Sequence, residues 1–380
     1  MISFELNDEQ RLLQNKFRKL AKEKLQQHSL QIDSNPPESI DVFFQKVFAE
    51  YKLNALIIPK EYGGNPLDWV TLSIVFEELS YGCAGLASCF SATLHAVSTL
   101  LIGGSEAQKR TFLPLLLSAD GSFASWLTTE EKGGSDTTHF TTTARCEGDN
   151  YVLNGEKMSI INTGNVAFYI VWGNLEATQG RPGINAFIVP KDIPGMSFGA
   201  YDDKSGLRNA PTSSVRLDNV KIPKENLISF PGSGYLLLAQ TLDIGRAIFG
   251  SIGLGIARAA LEEAIAFAKG RIVLNKPIIR NQGVNHQLAD ISARLEAARF
   301  LVWKACRQMD LGEDYSTEST MAKLLASELA YQATGVGLQI MGHRGYMRPS
   351  MMEKLHRDAS ILRVVEGTNI IQKVIISSQL

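Results

Sequence analysis

Tyr151-Val152-Leu153-Asn154-Gly155-Glu156-Lys157-Met158-Ser159-Ile160-Ile161 is the stretch at which the chain changes character. Two strand-like runs flank an Asn-Gly pair. Asn-Gly accepts the positive φ angles of a type I′ turn, so the stretch predicts a β-hairpin. Further strands are expected at Ala167-Phe168-Tyr169-Ile170-Val171-Trp172, Asn185-Ala186-Phe187-Ile188-Val189 and Ser214-Val215-Arg216-Leu217. Pro182-Gly183, Pro194-Gly195 and Pro223 punctuate them, and about seven short strands are expected in all.

On both sides of this β-region the pattern is helical. Toward the N-terminus, Asn7 and Gln10 have the spacing of a capping box, and Leu13, Phe17, Leu20 and Ala21 recur at helical intervals. Pro59-Lys60-Glu61-Tyr62-Gly63-Gly64 reads as a loop, after which residues 72–101 resume as long apolar helical segments. Toward the C-terminus, residues 253–269, 281–311 and 316–341 predict three long helices. Gly342-His343-Arg344-Gly345-Tyr346 and Glu366-Gly367-Thr368 interrupt the run before a last apolar helix at residues 370–376. The expected fold class is α+β, mainly α. It comprises an N-terminal helical domain (residues 1–121), a central β-domain (122–232) and a C-terminal helical bundle (233–380).

Composition narrows the function classes. The 380 residues carry 38 Lys+Arg against 39 Asp+Glu, a formal net charge of -1, so nothing marks a nucleic-acid-binding face. No apolar run is expected to reach the ~18–20 residues of a membrane helix. The opening Met1-Ile2-Ser3-Phe4-Glu5-Leu6-Asn7-Asp8-Glu9 lacks the basic and apolar regions of a signal peptide. Cys83, Cys89, Cys146 and Cys306 form no CxxC pair and read as reduced thiols. His343 and His356 lack partners at metal-ligand spacing, so no metal site is expected. These features predict a soluble, cytoplasmic, multidomain protein.

Glu366 stands out locally. It lies between Ile361, Leu362, Val364 and Val365 on one side and Gly367, Ile370 and Ile371 on the other. A carboxylate desolvated in such surroundings has a raised pKa and serves as a base near neutrality. The alternative is a carboxylate that favours the dipole at the start of the last helix. Thr129-Glu130-Glu131-Lys132-Gly133-Gly134-Ser135-Asp136 offers backbone N–H groups and a hydroxyl to a phosphate or carbonyl oxygen, or is an ordinary surface turn. Arg246, Arg271 and Gln282 read equally as surface polar groups. No Gly-x-Ser-x-Gly elbow, Walker loop or Rossmann glycine fingerprint occurs.

Taken together in their order, these elements resemble the acyl-CoA dehydrogenase family of flavoproteins over essentially the whole chain. The resemblance is carried by Pro59-Lys60-Glu61-Tyr62-Gly63-Gly64, Tyr81-Gly82-Cys83-Ala84-Gly85, and Leu127-Thr128-Thr129-Glu130 leading to Gly134-Ser135-Asp136. It continues through Tyr151-Val152-Leu153-Asn154-Gly155-x-Lys157, Lys204-x-Gly206-Leu207-Arg208, Leu242-Asp243-x-x-Arg246, and Arg271 to Gln282. It ends with Gln339-Ile340-x-Gly342-x-x-Gly345-Tyr346, Arg357-Asp358-Ala359 and Glu366-Gly367-Thr368. The fold this implies is an N-terminal helical domain, a central β-barrel-like domain and a C-terminal four-helix bundle.

The function implied is FAD-dependent α,β-dehydrogenation of an acyl thioester, carried by coenzyme A or by a carrier protein. Glu366 matches the family's base, which removes the α-proton while a hydride leaves the β-carbon for flavin N5. The developing enolate is met by a flavin ribityl hydroxyl and the backbone N–H of Glu366, and Gly367 lets the substrate approach the backbone. Leu127, Thr129, Gly134, Ser135, Ser159, Ile160, Ile161, Thr368 and Asn369 match cofactor-binding positions. Ser135, Asp243, Arg246 and Gly367 match substrate positions. Arg271, Gln282, Gln339 and Gly342 match residues that bind the FAD of a neighbouring subunit, which implies a homo-oligomer, a dimer or a tetramer built as a dimer of dimers. Relatives that place the base on the helix before the arginine have it where this chain has Gly245, leaving Glu366 as the candidate.

Several positions depart from the pattern. Ser159-Ile160-Ile161-Asn162-Thr163 stands where Trp-Ile-Thr-Asn-Gly is usual, so Ile161 lacks the hydroxyl donor to the flavin and Ser159 lacks the covering indole. One lost hydrogen bond is worth about 1 kcal/mol, enough to tune the flavin without abolishing binding. Glu131, Leu274-Asn275, His343 and Ile370 are further departures. Small side chains at Ala87-Ser88-Cys89-Phe90-Ser91 suggest an acyl pocket for a medium or branched chain. The electron acceptor is an electron-transferring flavoprotein or, given Ser159, oxygen. The rival expectations are an acyl-thioester oxidase or flavin monooxygenase of this fold, and a flavin-free partner subunit or scaffold.

Overall fold

A computed structural model describes residues 5–36, 39–119, 121–164, 166–176, 178, 180–228, 230 and 232–380. Met1–Phe4, part of the signal-peptide reading, lie outside these. The N-terminal region holds α1 (Asp8–Leu20), a π turn at Ala21–Leu25, α2 (Gln26–Ser34), α3 (Val42–Tyr51), α4 (Trp69–Gly103) and α5 (Glu106–Phe112). The capping box forms as expected. Asn7 Oδ1 accepts from the Gln10 N–H at 2.8 Å, and Gln10 Oε1 accepts from the Asn7 N–H at 3.1 Å. The Pro59–Gly64 loop contains one 3₁₀ turn, Lys60–Tyr62.

The middle region contributes β1 (Ala124–Leu127), β2 (Thr143–Glu147), β3 (Asn150–Ile161), β4 (Phe168–Leu175), β5 (Ile184–Pro190), β6 (Met196–Tyr201), β7 (Thr212–Pro223) and β8 (Leu227–Ile228). They form one mixed eight-stranded sheet in the order β6-β7-β3-β2-β4-β5-β8, with β1 beside β4. The expected hairpin at Asn154-Gly155 is not there. Both runs belong to the single strand β3, and the register against β7 slips between Leu153 and Gly155 as a bulge. Gly155 takes φ +153°, and a Cβ there would lie 2.7 Å from Thr142 Cα, so the glycine serves close backbone approach. The true turn is Gly148-Asp149, between the paired Glu147 and Asn150, with Gly148 at φ +56°.

The C-terminal region comprises α6 (Gly234–Gly270), the two-stranded β9 (Ile272–Val273) and β10 (Lys276–Pro277), α7 (Gln282–Leu311), α8 (Ser316–Met341), α9 (His343–Tyr346), α10 (Met351–Ile361) and α11 (Asn369–Ser377). Helix α6 begins well before the expected residue 253, because residues 235–252 are apolar or small except for Gln240, Asp243 and Arg246.

The membrane reading needs correction. Helices α4 and α6 are each long and apolar enough to cross a bilayer, with 18-residue windows of mean hydropathy 1.5 and 1.3. Serine, threonine and glycine scattered through them disguised their length. Those windows are 83% and 100% buried inside the protein, which is where their apolar faces are satisfied. α4 also breaks at Cys83, which has extended angles (φ −158°, ψ 101°).

One continuous apolar core runs through all three regions, from Phe17 and Phe44 through Trp172 and Phe187 to Ala257 and Leu355. Charges cross it as well. Buried Glu78 accepts two bonds from Arg258 of α6, at 2.8 and 2.6 Å, and two from Arg18 of α1, at 2.9 and 3.4 Å. Glu77 accepts two from Arg299 of α7 at 2.9 and 3.0 Å. The Lys204–Arg208 motif locks the sheet to α10, with the Leu207 N–H donating to Asp358 Oδ1 at 2.7 Å.

Candidate active site

A cavity of about 800 Å³ opens where the three regions meet. Ser88, Ala92 and His95 face it from α4, at positions i, i+4 and i+7 of one helical face. Tyr235, Leu238, Leu242, Asp243, Arg246 and Phe249 face it from α6, again at three- and four-residue steps. Trp126 and the loop after β1 supply Thr128, Thr129, Gly134, Ser135 and Asp136, the end of β3 supplies Ser159, Ile160 and Ile161, and the turn between α10 and α11 supplies Val364 to Thr368.

That last turn is tightly built. Glu366 and Gly367 are consecutive residues in the left-handed region, φ +58° and +84°. Gln372 Nε2 donates to the carbonyls of both at 2.9 Å, and the buried Lys323 ammonium donates to Gly367 O and Asn369 Oδ1 at 2.8 Å. Thr368, not Glu366, caps α11, its Oγ1 accepting from the Ile371 N–H. Glu366 is thereby released from the helix-start role and lines the cavity, its side chain 12% exposed. Its Oε2 lies 3.1 Å from His95 Nε2.

The electrostatics reverse one expectation. Burial does push the Glu366 carboxyl up, but the His95 ring, the Arg246 guanidinium and the Lys323 ammonium together hold it below its ordinary value. Burial pulls Lys323 down to about 8, with Glu366 opposing. Arg246 is buried and paired with Asp243, whose carboxyl is pushed up by burial against the pull of Arg246.

A second ion pair shapes the loop. Lys157, fully buried on β3, donates to Glu130 Oε1 at 2.8 Å and to Thr128 O at 3.1 Å. The Met158 N–H donates to Thr129 O at 2.9 Å, so β3 holds the Thr128–Thr129 backbone at the cavity wall. Burial raises Glu130, but Lys157 and the Thr141 donors bring it down to about 2, while burial brings Lys157 down to about 8.

The cavity gathers Thr129, Gly134, Ser135, Ser159, Ile160, Ile161, Asp243, Arg246, Glu366, Gly367 and Thr368 from the sequence-derived candidates. Leu127 and Asn369 are buried beside it, outside the lining. Arg271, Gln282, Gln339 and Gly342 lie on the bundle surface away from this cavity. Of the 87–91 segment only Ser88 faces it; Ala87, Cys89, Phe90 and Ser91 are core residues. His95, Trp126 and Lys323 escaped the sequence reading, and Thr128 entered it only as part of the Leu127–Glu130 motif. The helical spacing of residues 88, 92 and 95, and a lone lysine in the apolar Met321-Ala322-Lys323-Leu324-Leu325, were the available signals.

Three family models tile the chain: the acyl-CoA dehydrogenase N-terminal domain over residues 7–120, the middle domain over 125–220 and the C-terminal domain over 232–380. The chain belongs to the acyl-CoA dehydrogenase family. The short-chain specific acyl-CoA dehydrogenase of Rattus norvegicus mitochondria is 35% identical over 100% of this chain and 91% of its own length. Among solved structures, butyryl-CoA dehydrogenase from Megasphaera elsdenii superposes with a TM-score of 0.95 at 30% identity, covering 100% of this chain and 99% of that one. The prolyl acyl carrier protein oxidase AnaB gives 0.93 at 28%, covering 99% of each. An acyl-CoA dehydrogenase complexed with FAD from Bacillus anthracis gives 0.90 at 27%, covering 100% of this chain and 68% of that one. The protein is an acyl-CoA dehydrogenase-type oxidoreductase acting on CH–CH bonds, with FAD as its cofactor.

The residues present fit that cofactor. Thr128 Oγ1 is buried, belongs to a residue lining the cavity, and has no hydrogen-bond partner among the described residues. A buried hydroxyl without a partner is costly, and a polar ligand in the cavity relieves it. Among the described residues no cluster of three or more His, Cys, Asp or Glu suited to a metal ion occurs.

Proposed function

We propose that this acyl-CoA dehydrogenase desaturates a short-chain acyl-CoA, with Glu366 as the base that removes the α-proton. The observation that carries the reading is the Glu366 carboxylate, nearly dry, lining the cavity 3.1 Å from His95 and held below its ordinary pKa by the cations around it. Thr128, Thr129, Ser135, Ser159–Ile161 and Thr368 would hold FAD, which would supply the acceptor for the hydride.

The chain's own residues do the rest. Glu366 is oriented by the paired φ-positive turn and by the Gln372 and Lys323 bonds to its flanking carbonyls. Its backbone N–H donates to the thioester carbonyl, where negative charge grows as the α-proton leaves. Asp243 and Arg246 meet the coenzyme A arm. Leu238, Leu242, Phe249 and Trp126 exclude water from the acyl end. The relatives named for short-chain and butyryl-CoA substrates support the short chain.

Electron-transferring flavoprotein is the proposed acceptor. A cytoplasmic homo-oligomer, dimer or tetramer, is the proposed state, in which Arg271, Gln282, Gln339 and Gly342 reach a neighbour's cofactor. Exposed apolar side chains at Ile272 (55%), Leu274 (88%), Ile370 (74%) and Val374 (57%) support such burial between copies.

The test is anaerobic addition of butyryl-CoA to the purified protein, following loss of the flavin's visible absorbance. Wild type bleaches and Glu366→Gln does not; undiminished bleaching in the variant overturns the assignment of the base. Reoxidation by electron-transferring flavoprotein supports the proposed acceptor, whereas rapid peroxide formation in air replaces it with oxygen. Reaction only with a carrier-protein thioester overturns the coenzyme A reading, and a protein that stays colourless after FAD addition overturns the enzyme reading.

A further inference from the structure

His95 Nδ1 lies 2.7 Å from the carbonyl oxygen of Ser91, one turn earlier on α4. A carbonyl oxygen only accepts, so Nδ1 carries a proton in every tautomer that keeps this bond. Nε2 then has no proton of its own in the neutral ring. It nevertheless sits 3.1 Å from Glu366 Oε2, an oxygen that has no proton when ionised. The contact is attractive only if one proton lies between the two groups.

The surroundings decide where that proton resides. Glu366 is faced from α6 by Arg246, itself paired with Asp243, and from α8 by Lys323. His95 is faced by Glu366, by the Ser91 carbonyl and by the Trp126 ring at 5.0 Å from β1. Two cations beside the carboxylate favour its ionised form, and an ionised carboxylate beside the ring favours the imidazolium. Burial opposes charge on the ring, but Glu366 overrides it and the His95 pKa is raised.

The close contact depends on one absent atom. A Cβ on Gly245 of α6 would lie 2.1 Å from His95 Nε2 and 2.6 Å from Glu366 Oε2. The glycine vacates the space in which the two side chains meet.

We propose that His95 is the positioning residue of this site: its Nε2–H donates to Glu366 Oε2, keeps that carboxylate ionised and aims it, leaving Oε1 to take the substrate proton. The inference rests on the reading of Glu366 as base. In the step itself, the Cα–H bond breaks, its electron pair passes into the thioester enolate, an O–H bond forms at Oε1, and Oε2 goes on accepting from the ring. The reaction therefore runs in a window closed in acid by protonation of Glu366. It closes in alkali when His95 loses its proton and two lone pairs face each other.

The experiment measures the rate of anaerobic bleaching by butyryl-CoA against pH for wild type, His95→Asn, His95→Gln and Gly245→Ala. Asn keeps a donor for Ser91 O but does not reach Glu366, and Gln offers Glu366 a neutral donor. The expected result is an acid limb moved to higher pH in all three, least in His95→Gln, and loss of the alkaline limb in both histidine variants. At the acid end His95→Asn should be slower by roughly tenfold, the usual scale for losing a charge-assisted hydrogen bond. Flavin content monitors folding, and Gly245→Ala breaks the pair by setting a methyl between the two side chains while both keep their own chemistry.

A second readout needs no turnover. The ¹⁵N-histidine spectrum of wild type should show one ring, absent from His95→Asn, with both nitrogens protonated at pH 7.5, and Glu366→Gln should return that ring to a singly protonated form. Unmoved pH limbs, or a neutral His95 ring in wild type, overturn the proposal. Undiminished bleaching by Glu366→Gln instead overturns the base assignment, and leaves the spectrum to report on the pair separately.

Discussion

Replacing Lys157 by methionine tests how the cofactor loop is held. Methionine matches the lysine stem in volume but leaves Glu130, 6% exposed, without its cation. Breaking a buried pair from one side costs about 3–5 kcal/mol. Glu130 still accepts from the Thr141 N–H and hydroxyl and from the Thr142 N–H, which places the expected loss near the lower figure, about 3 kcal/mol. A chain of 380 residues has an unfolding entropy of about 0.8 kcal/mol/K, so the melting temperature should fall by about 4 °C. The loss of the bond to Thr128 O should also lower flavin occupancy at equal FAD concentration. Calorimetry and the flavin absorbance of Lys157→Met, Glu130→Gln and the double variant supply the measurement. The double variant should recover most of the loss, because a neutral amide in place of the Glu130 carboxylate needs no counter-ion. A melting temperature for Lys157→Met within about 1 °C of wild type, or a double variant less stable than the single one, refutes the reasoning.

Acid should act through the same pair. Glu130 is held at about 2, below its free value of 4.5, so its contribution to stability is complete above about 4.5 and fades as the pH falls toward 2. Across that interval the melting temperature of wild type should drop more steeply than that of Glu130→Gln, as followed by circular dichroism. A Gly206→Ala substitution sets a Cβ 2.2 Å from the Arg357 carbonyl and should destabilise by about 1–3 kcal/mol through the sheet-to-α10 lock, measured as a lower urea midpoint. Only Cys146 is exposed, and burial pushes the thiols of Cys83, Cys89 and Cys306 up. A thiol reagent should therefore label one cysteine per native chain and four after denaturation.

The helices were legible in the sequence because they obey its simplest rules. Ser316–Met341 matches its expected bounds, and the Asn7–Gln10 cap forms as read. The Asn154-Gly155 error came from a dipeptide that serves turns and bulges alike; which of the two it makes depends on Thr142 pressing against it, a contact no local pattern encodes. Glu366 stood out by its apolar neighbours with a helix-start role left open, only the resemblance singled it out as base, and the sense of its shift was misjudged. Its three cations arrive from residues 95, 246 and 323, on three different helices. Local sequence reports burial; it does not report who shares the burial. His95 carries no local signal of a role, and only the meeting of α4 with the turn before α11 sets it against Glu366.

The shared interior also governs how the polypeptide can be divided. Glu77 is neutralised by Arg258 and Arg299 and Glu78 by Arg18 and Arg258, so the pair draws its cations from both ends of the chain, and neither group can be left bare in hydrocarbon. A fragment ending near residue 121 or 232 would carry α4 with Glu77 stripped of both its arginines, Glu78 left with Arg18 alone and a flank of α4 exposed to solvent. Such pieces should clump on expression rather than fold, and a ribosome must finish α6 and α7 before that flank of α4 has anything to settle against.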